Sequence, residues 1–250
     1  MSAMILEDFV MLGKTVPEPT SDGRVFVCSA GYSLEMRSLI RIYPLARKAA
    51  PPRWSLSRVT LERNPKDSRP ESWKLAGDRS PDRHEWINRQ AFQVYDKVSG
   101  WHRQELLDDD ALWVNSIKEA NDRRMSLALI RPKAIPTVTY DMNAASPESP
   151  QLRLFDDGLT PAEGAKRFPY MPRITLTDAT GDHRLMLRDW GCYELMRKHP
   201  RHTFDLDQAL SVGEDSVLLI GNLNSHRTAW LCISVLNVGQ QQMSLLGATA

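Results

Sequence analysis

Cysteine is scarce in this 250-residue chain: Cys28, Cys192 and Cys232 lie far apart, each within or beside an apolar segment. They form no CxxC pair and no even framework, which excludes a disulfide scaffold and fits buried thiols in a reducing compartment. Long apolar runs are missing too. Stretches such as "VLLI" and "AWLCI" fall well short of the roughly 20 residues that a membrane-spanning helix takes. The opening "MSAMILEDFVMLGK" has no basic region ahead of its apolar part, so no signal peptide is expected and the location expected is the cytoplasm. There is no GxGxxG, no GxxxxGK[ST] and no GxSxG, which removes the familiar nucleotide-binding loops and the hydrolase elbow. The six histidines (His84, His102, His183, His199, His202 and His226) have no cysteine or carboxylate at a familiar zinc spacing, so neither a metal nor a cofactor is expected. Three adjacent carboxylates in "LLDDDAL" point in different directions and read as the start of a helix.

What is present is an ordinary globular composition, 42% apolar and 25% charged, with a formal net charge of +1. That near-neutral total hides an asymmetry. Between Arg24 and Arg69 there are ten Lys/Arg against three acids, Glu35, Glu62 and Asp67. Clustered on one face, such an excess attracts polyanions; scattered and paired with acids from elsewhere, it does not.

Alternating patterns dominate the chain. A strand or opening helix is expected over residues 4–12, and Asp22-Gly23 feeds a strand, "RVFVCSAGY". In "RSLIRIY", Ser38, Ile40 and Ile42 share one face, and Arg37, Leu39, Arg41 and Tyr43 the other, with Pro44 ending the strand. "WSLSRVTLER" sets Ser55, Ser57, Val59 and Leu61 against Trp54, Leu56, Arg58 and Thr60. Residues 64–84 read as an ordered loop or insertion, "EWINRQAFQVYDKV" as a weak helix and "DDDALWVNSIKEANDRR" as a better one, capped by Asp109 or Asp110. "SLALIRPKAIPTVTYDM" is extended but broken by Pro132 and Pro136. After the Ser/Pro/Asn-rich residues 143–151, "RITLTDATGDHRLMLRDW" gives the strongest hairpin signal. "GCYELMRKH" and "DLDQAL" then give short helices, and a last hairpin turns at "NSHR" before a frayed tail. No internal repeat is visible in the sequence.

Two constellations carry chemistry. Arg37, Arg41, Tyr43, Trp54, Arg58 and Arg69 form a basic, aromatic set on what would be an outer barrel face; arginine meets phosphates and an aromatic ring stacks on bases. The competing reading puts the arginine stems over apolar surface and the rings in a core. The second set, His183, Asp189, Asn224, His226 and Arg227, sits on or beside the C-terminal hairpins. A His–Asp pair can move a proton and a His–Arg pair can hold a phosphate, while Asp189 is also well placed as a helix N-cap.

Taken in order, "KTVPEP", "VCSAGYS", "LIRIYPL", "SRPES", "SLALIRPKAI", "LRLFD" and "HRLMLRDW" resemble a widespread family of uncharacterised prokaryotic proteins, across roughly residues 13–236. The family pattern VCxAG…IRxYP…RPES…LMxxDW is matched by Cys28, Gly31, Arg41, Tyr43, Pro44, Arg69, Glu71, Ser72, Asp189 and Trp190. The chain departs from it in having no Trp ahead of Arg41. The opening motif is also similar to dual OB-type domains, and that resemblance implies nucleic-acid-associated modules of mobile-element or defence machines.

The expected fold is α+β and mainly β. A small barrel-like (OB/SH3-like) module over residues 1–142 carries a helical insertion at 64–124, and a linker or crossover at 143–151 leads to a C-terminal α+β hairpin module at 152–250. The expected function is nucleic-acid binding, as an accessory subunit with a protein partner and no membrane, through Arg37, Arg41, Tyr43, Trp54, Arg58, Arg69 and Arg227. The alternatives are a nucleic-acid-processing enzyme with Arg69, Glu71, His183, Asp189 and His226 at its site, and an adaptor using Trp73, Trp86 and Trp101 as anchors. No motif names a reaction.

Overall fold

The computed structural model describes residues 3–19, 25–46, 48–77, 91–142, 168, 170–198 and 206–238. The linker expected at 143–151, the tail 239–250, Arg24, Arg47, His84, Trp86, His199, His202 and the side chain of Trp101 lie outside them.

The N-terminal half is built from β1 (Met4–Lys14), β2 (Glu18–Pro19), β3 (Val25–Ser33), β4 (Ser38–Leu45), β5 (Ser55–Arg63), β6 (Ser72–Leu75) and β7 (Phe92–Lys97). Strands β1, β3, β4, β6 and β5 pair in that order, and β5 pairs back onto β1, closing a five-stranded barrel; β2 lies on β3 and β7 on β5. All contacts round the barrel are antiparallel except β4 with β6. β1 does double duty: Met4–Val10 pairs with β5, and Phe9–Lys14 with β3. The weak helix expected over residues 85–98 is corrected for its described part. Residues 92–97 lie as an edge strand on β5 with Phe92 buried and the rest exposed, and that pairing overrides their helical propensity.

The second sheet holds β8 (Trp113–Val114), β9 (Leu127–Ile130), β10 (Thr137–Met142), β11 (Tyr170–Asp178), β12 (Gly181–Leu187), β13 (Ser216–Asn222) and β14 (Trp230–Asn237), in the order β10-β11-β12-β14-β13-β9-β8. Strands β8 to β10, expected in the first module, pair here, so this sheet begins well before residue 143. Between β7 and β8 in the chain come α1 (Gly100–Leu106) and a 3-10 turn (Asp110–Leu112), and between β8 and β9 comes α2 (Ile117–Asp122). Asp109 caps the turn by accepting from the Ala111 N–H, but the single helix expected over residues 108–124 is corrected: Trp113–Val114 pair as β8 and split it into the turn and α2. Ser116 caps α2 by accepting from the Glu119 N–H, and the Glu119 carboxylate accepts from the Asn115 N–H. α3 (Trp190–Lys198) and α4 (Leu206–Ala209) lie between β12 and β13.

β9 and β10 act as two halves of one strand, split by Arg131–Pro136. The first half pairs with β13 and the second with β11, just as the two halves of β1 pair with β5 and β3. In this light the second sheet repeats the strand order of the first, down to one parallel pair, β12 with β14. The repeat lies in topology and leaves no trace in residue identity.

Side chains sort into three apolar layers. Phe9, Met11, Ile40, Ile42, Val59 and Leu61 fill the barrel, while Ala128, Ile130, Ile174, Leu185, Leu218 and Ile220 lie within the second unit. Between them runs a seam of Val10, Leu12, Ala30, Tyr32 and Leu39 from the barrel, met by Leu127, Leu129, Val217, Leu219 and Ile233. Period-two alternation thus sends one face of β1, β9 and β13 inward and the other into the seam. Gly13 permits the close approach, since a Cβ there would lie 2.7 Å from Ser234 Cβ.

Candidate functional site

Arg41 lies on the seam side of β4, opposite Ile40 and Ile42. It is 4% exposed, with Nη2 donating to the Ser126 carbonyl at 2.6 Å and Nη1 to Cys28 Sγ at 3.4 Å. The face it shares with Leu39 is covered by the second sheet, which corrects the expectation of an open basic strand face. Trp54, expected on that face too, is fully buried in the same seam at a positive φ of 67°. Tyr43 is half-buried, and its carbonyl accepts from Asn64 Nδ2 at 3.1 Å; the strand runs on past the cis Tyr43–Pro44 bond to Leu45.

Most of the remaining candidates tie the two halves together. Arg69, buried, is held by Asp67 and donates to the Asn222 carbonyl at 2.7 Å, while Arg227 donates to Ser68 Oγ at 3.1 Å. Burial works to raise the Asp67 pKa, but hydrogen bonds from Arg69 and Ser72 overcome it and hold the carboxyl down at about 2. The Glu71 carboxylate accepts from the Ser126 N–H and hydroxyl at 3.1 and 2.8 Å. Asp189 caps α3 through the Gly191 N–H, as expected. It also accepts from Arg53 at 2.6 Å and from the Ser234 hydroxyl at 2.7 Å. Arg53, which drew no attention in the sequence, reaches the Val235 carbonyl as well.

The exposed candidates stand apart from one another. Arg37 follows the β3–β4 turn at a φ of 47° and pairs with Asp109 at 3.0 Å; Arg58 pairs with Glu7 at 3.3 Å. His183 sits 3.0 Å from Asp178, a carboxylate that also accepts from the Ile117 and Thr180 N–H groups. His226 contacts Ser225 in the β13–β14 loop. Among the described residues, the four acid–base candidates, Glu71, His183, Asp189 and His226, belong to separate local networks, with no hydrogen bond or ion pair joining one to another. Trp73 is buried in the barrel with Arg63 3.8 Å over its ring, which removes it as an interface anchor. Cys192 and Cys232 are fully buried, and that burial pushes their thiols up, away from the thiolate form. Among the described residues no group of three or more His, Cys, Asp or Glu is placed to hold a metal, and no helix is long and apolar enough to cross a membrane.

Among the described residues nothing packs over the outer face of β11 and β12, the counterparts of the barrel's second and third strands, whose own outer face meets the seam. Ile174, Leu176, Leu185 and Leu187 point inward, so Arg173, Thr175 and Arg184 point out, beside Thr137 and Thr139 of β10. Asp141 accepts from Arg173 at 3.1 Å and Arg184 at 2.5 Å, and these two hydrogen-bonded arginines, Arg184 first, depress its pKa. Arg184 remains 55% exposed. The sequence signal for this surface was the polar half of the "RITLTDATGDHRLML" alternation.

Comparison with the curated proteins and with the solved structures finds no match. Residues 6–107, the closed barrel with β7 and α1, match a family described as Domain of unknown function (DUF8758).

Proposed function

We propose that the protein binds nucleic acid through the outer face of β10–β12, with the closed barrel as its rigid support and accessory subunit as its role. The reading rests on one observation: of two units with the same strand order, the second is the one whose second and third strands have no described residue packed over their outer face, and that face carries Arg173, Arg184 and a row of threonines. First-second-third-fifth-fourth, with the third and fifth strands parallel, is OB-like order, and OB barrels take oligonucleotides on the second and third strands beside the loop between the fourth and fifth. That loop here is residues 223–229, with Asn224, His226 and Arg227. Guanidinium groups supply phosphate contacts and hydroxyls supply further donors.

Anisotropy of labelled single-stranded and duplex DNA and RNA across a salt series tests it. Binding is expected to weaken with salt, and an Arg173→Ala/Arg184→Ala double variant is expected to lose about tenfold in affinity and about 1–2 from the log–log salt slope. An Arg37→Ala/Arg58→Ala variant is expected to bind as the parent does. Absence of binding at low salt, or loss confined to the Arg37/Arg58 variant, overturns the reading.

A further inference from the structure

A cleft of about 820 Å³ opens on the barrel's outer surface, between the sheet on one side and α1 with the 3-10 turn on the other. That is the size of a small-molecule site. Its apolar floor is Leu34, Leu56, Val98 and Leu106. One wall is fixed: Asp109 accepts from Tyr32 Oη at 3.3 Å, Arg37 Nε at 3.0 Å and the Ala111 N–H at 3.1 Å. This makes a self-neutralised, pre-organised end. Among the described residues, four carboxylates line the cleft (Asp96, Glu105, Asp108 and Asp109) against two permanent cations, Arg37 and Lys97. Asp108, exposed on the rim, has no side-chain partner among the described residues, and Glu105 has only His102 at 3.3 Å.

From this we infer that the cleft binds a small amphipathic organic cation, its apolar body on the leucine and valine floor and its ammonium or guanidinium group held by Asp108 and Glu105. An anion would meet the acid excess, and a neutral body would gain nothing from it. The site lies apart from the β10–β12 face, so this inference stands or falls independently of nucleic-acid binding.

Methyl NMR titration of the full chain separates the possibilities, with three probes sharing one apolar body: 4-phenylbutylamine, 4-phenylbutanol and 4-phenylbutyrate. Phenylalanyl-lysine amide forms a fourth arm. The amine is expected to shift the methyls of the cleft floor with an affinity about tenfold above the carboxylate's, the alcohol falling between. Stronger binding of the dipeptide amide than of the amine assigns the natural source to a peptide, and the reverse order to a free amine; both support the cationic site. A Glu105→Gln/Asp108→Asn variant, changed only at exposed positions, is expected to lose the preference for the amine while retaining the alcohol. Equal or tighter binding of the carboxylate, an unchanged preference in that variant, or no shift with any probe at about 10 mM overturns the inference.

Discussion

At Asp67 two opposing effects meet in one carboxyl. Burial alone would raise its pKa, yet Arg69 and Ser72 hold it at about 2. A carboxyl depressed on folding stabilises the native state above its unfolded pKa of about 4, and that contribution disappears as the pH falls through the folded value. The native protein is therefore expected to lose about 2 kcal/mol from this group between pH 4 and pH 2. Asp67→Asn, which leaves Arg69 buried without its counter-charge, is expected to cost about 3 kcal/mol at pH 7 and progressively less below pH 4. Urea melts at pH 7, 4 and 2 measure both. Two glycines give a contrast of mechanism. A Cβ on Gly31 would run into Phe9 Cζ and the Val10 carbonyl, whereas one on Gly181 meets nothing within 4 Å but sits at a φ of 133°. Gly31→Ala is expected to cost about 3 kcal/mol by overpacking, and Gly181→Ala about 1–2 kcal/mol by backbone strain, so thermal melts rank them in that order. Single residues were also where the sequence misled. A strand pattern gives Arg41 a face without saying whether water or another sheet covers it; the usable warning was Leu39 beside it and the unbroken apolar run "FVMLG" in β1, which marks burial on both sides.

At the scale of elements, the hairpins were legible because their alternation is local. β3, β4, β5, the β11–β12 hairpin at Asp178–Gly181 and the closing β13–β14 pair all follow from patterns within a few residues of one another. The pairings that make the architecture are remote: β5 onto β1, β12 beside β14, and β9 onto β13 carry no local signature. That is also why the first strand of the second unit was hidden, since Pro132 and Pro136 break it into two short pieces with different partners. The seam links are expected to act as a set. Arg53→Met removes the guanidinium paired with Asp189, which is 1% exposed, at a cost of about 3 kcal/mol. Gly13→Ala must move Ser234, which donates to that same carboxylate. A double-mutant cycle on the two positions is therefore expected to show coupling of about 0.5–3 kcal/mol, where independent sites would add.

Among the described residues the two units share the seam, an apolar layer to which both contribute, beside the separate layer inside each. Heat unfolding is accordingly expected to be a single transition whose calorimetric and van't Hoff enthalpies agree; two separated transitions would mean that the halves are independent. A truncated chain ending near residue 107, the limit of the matched family, uncovers Val10, Leu12, Tyr32 and Leu39 together and is expected to aggregate when purified alone.

The order in which the chain leaves the ribosome adds a requirement of its own. The strands that close the barrel are all made by Leu75, whereas β13 and β14, which cover its seam face, are complete only at Asn237. For about 10–30 s of synthesis, at ~5–20 residues per second, a finished barrel waits with its stickiest side bare. A nascent-chain holdase is expected to occupy that side during the interval, and ribosome profiling of chaperone-bound nascent chains should show engagement that begins after Leu75 emerges and ends once β14 has followed.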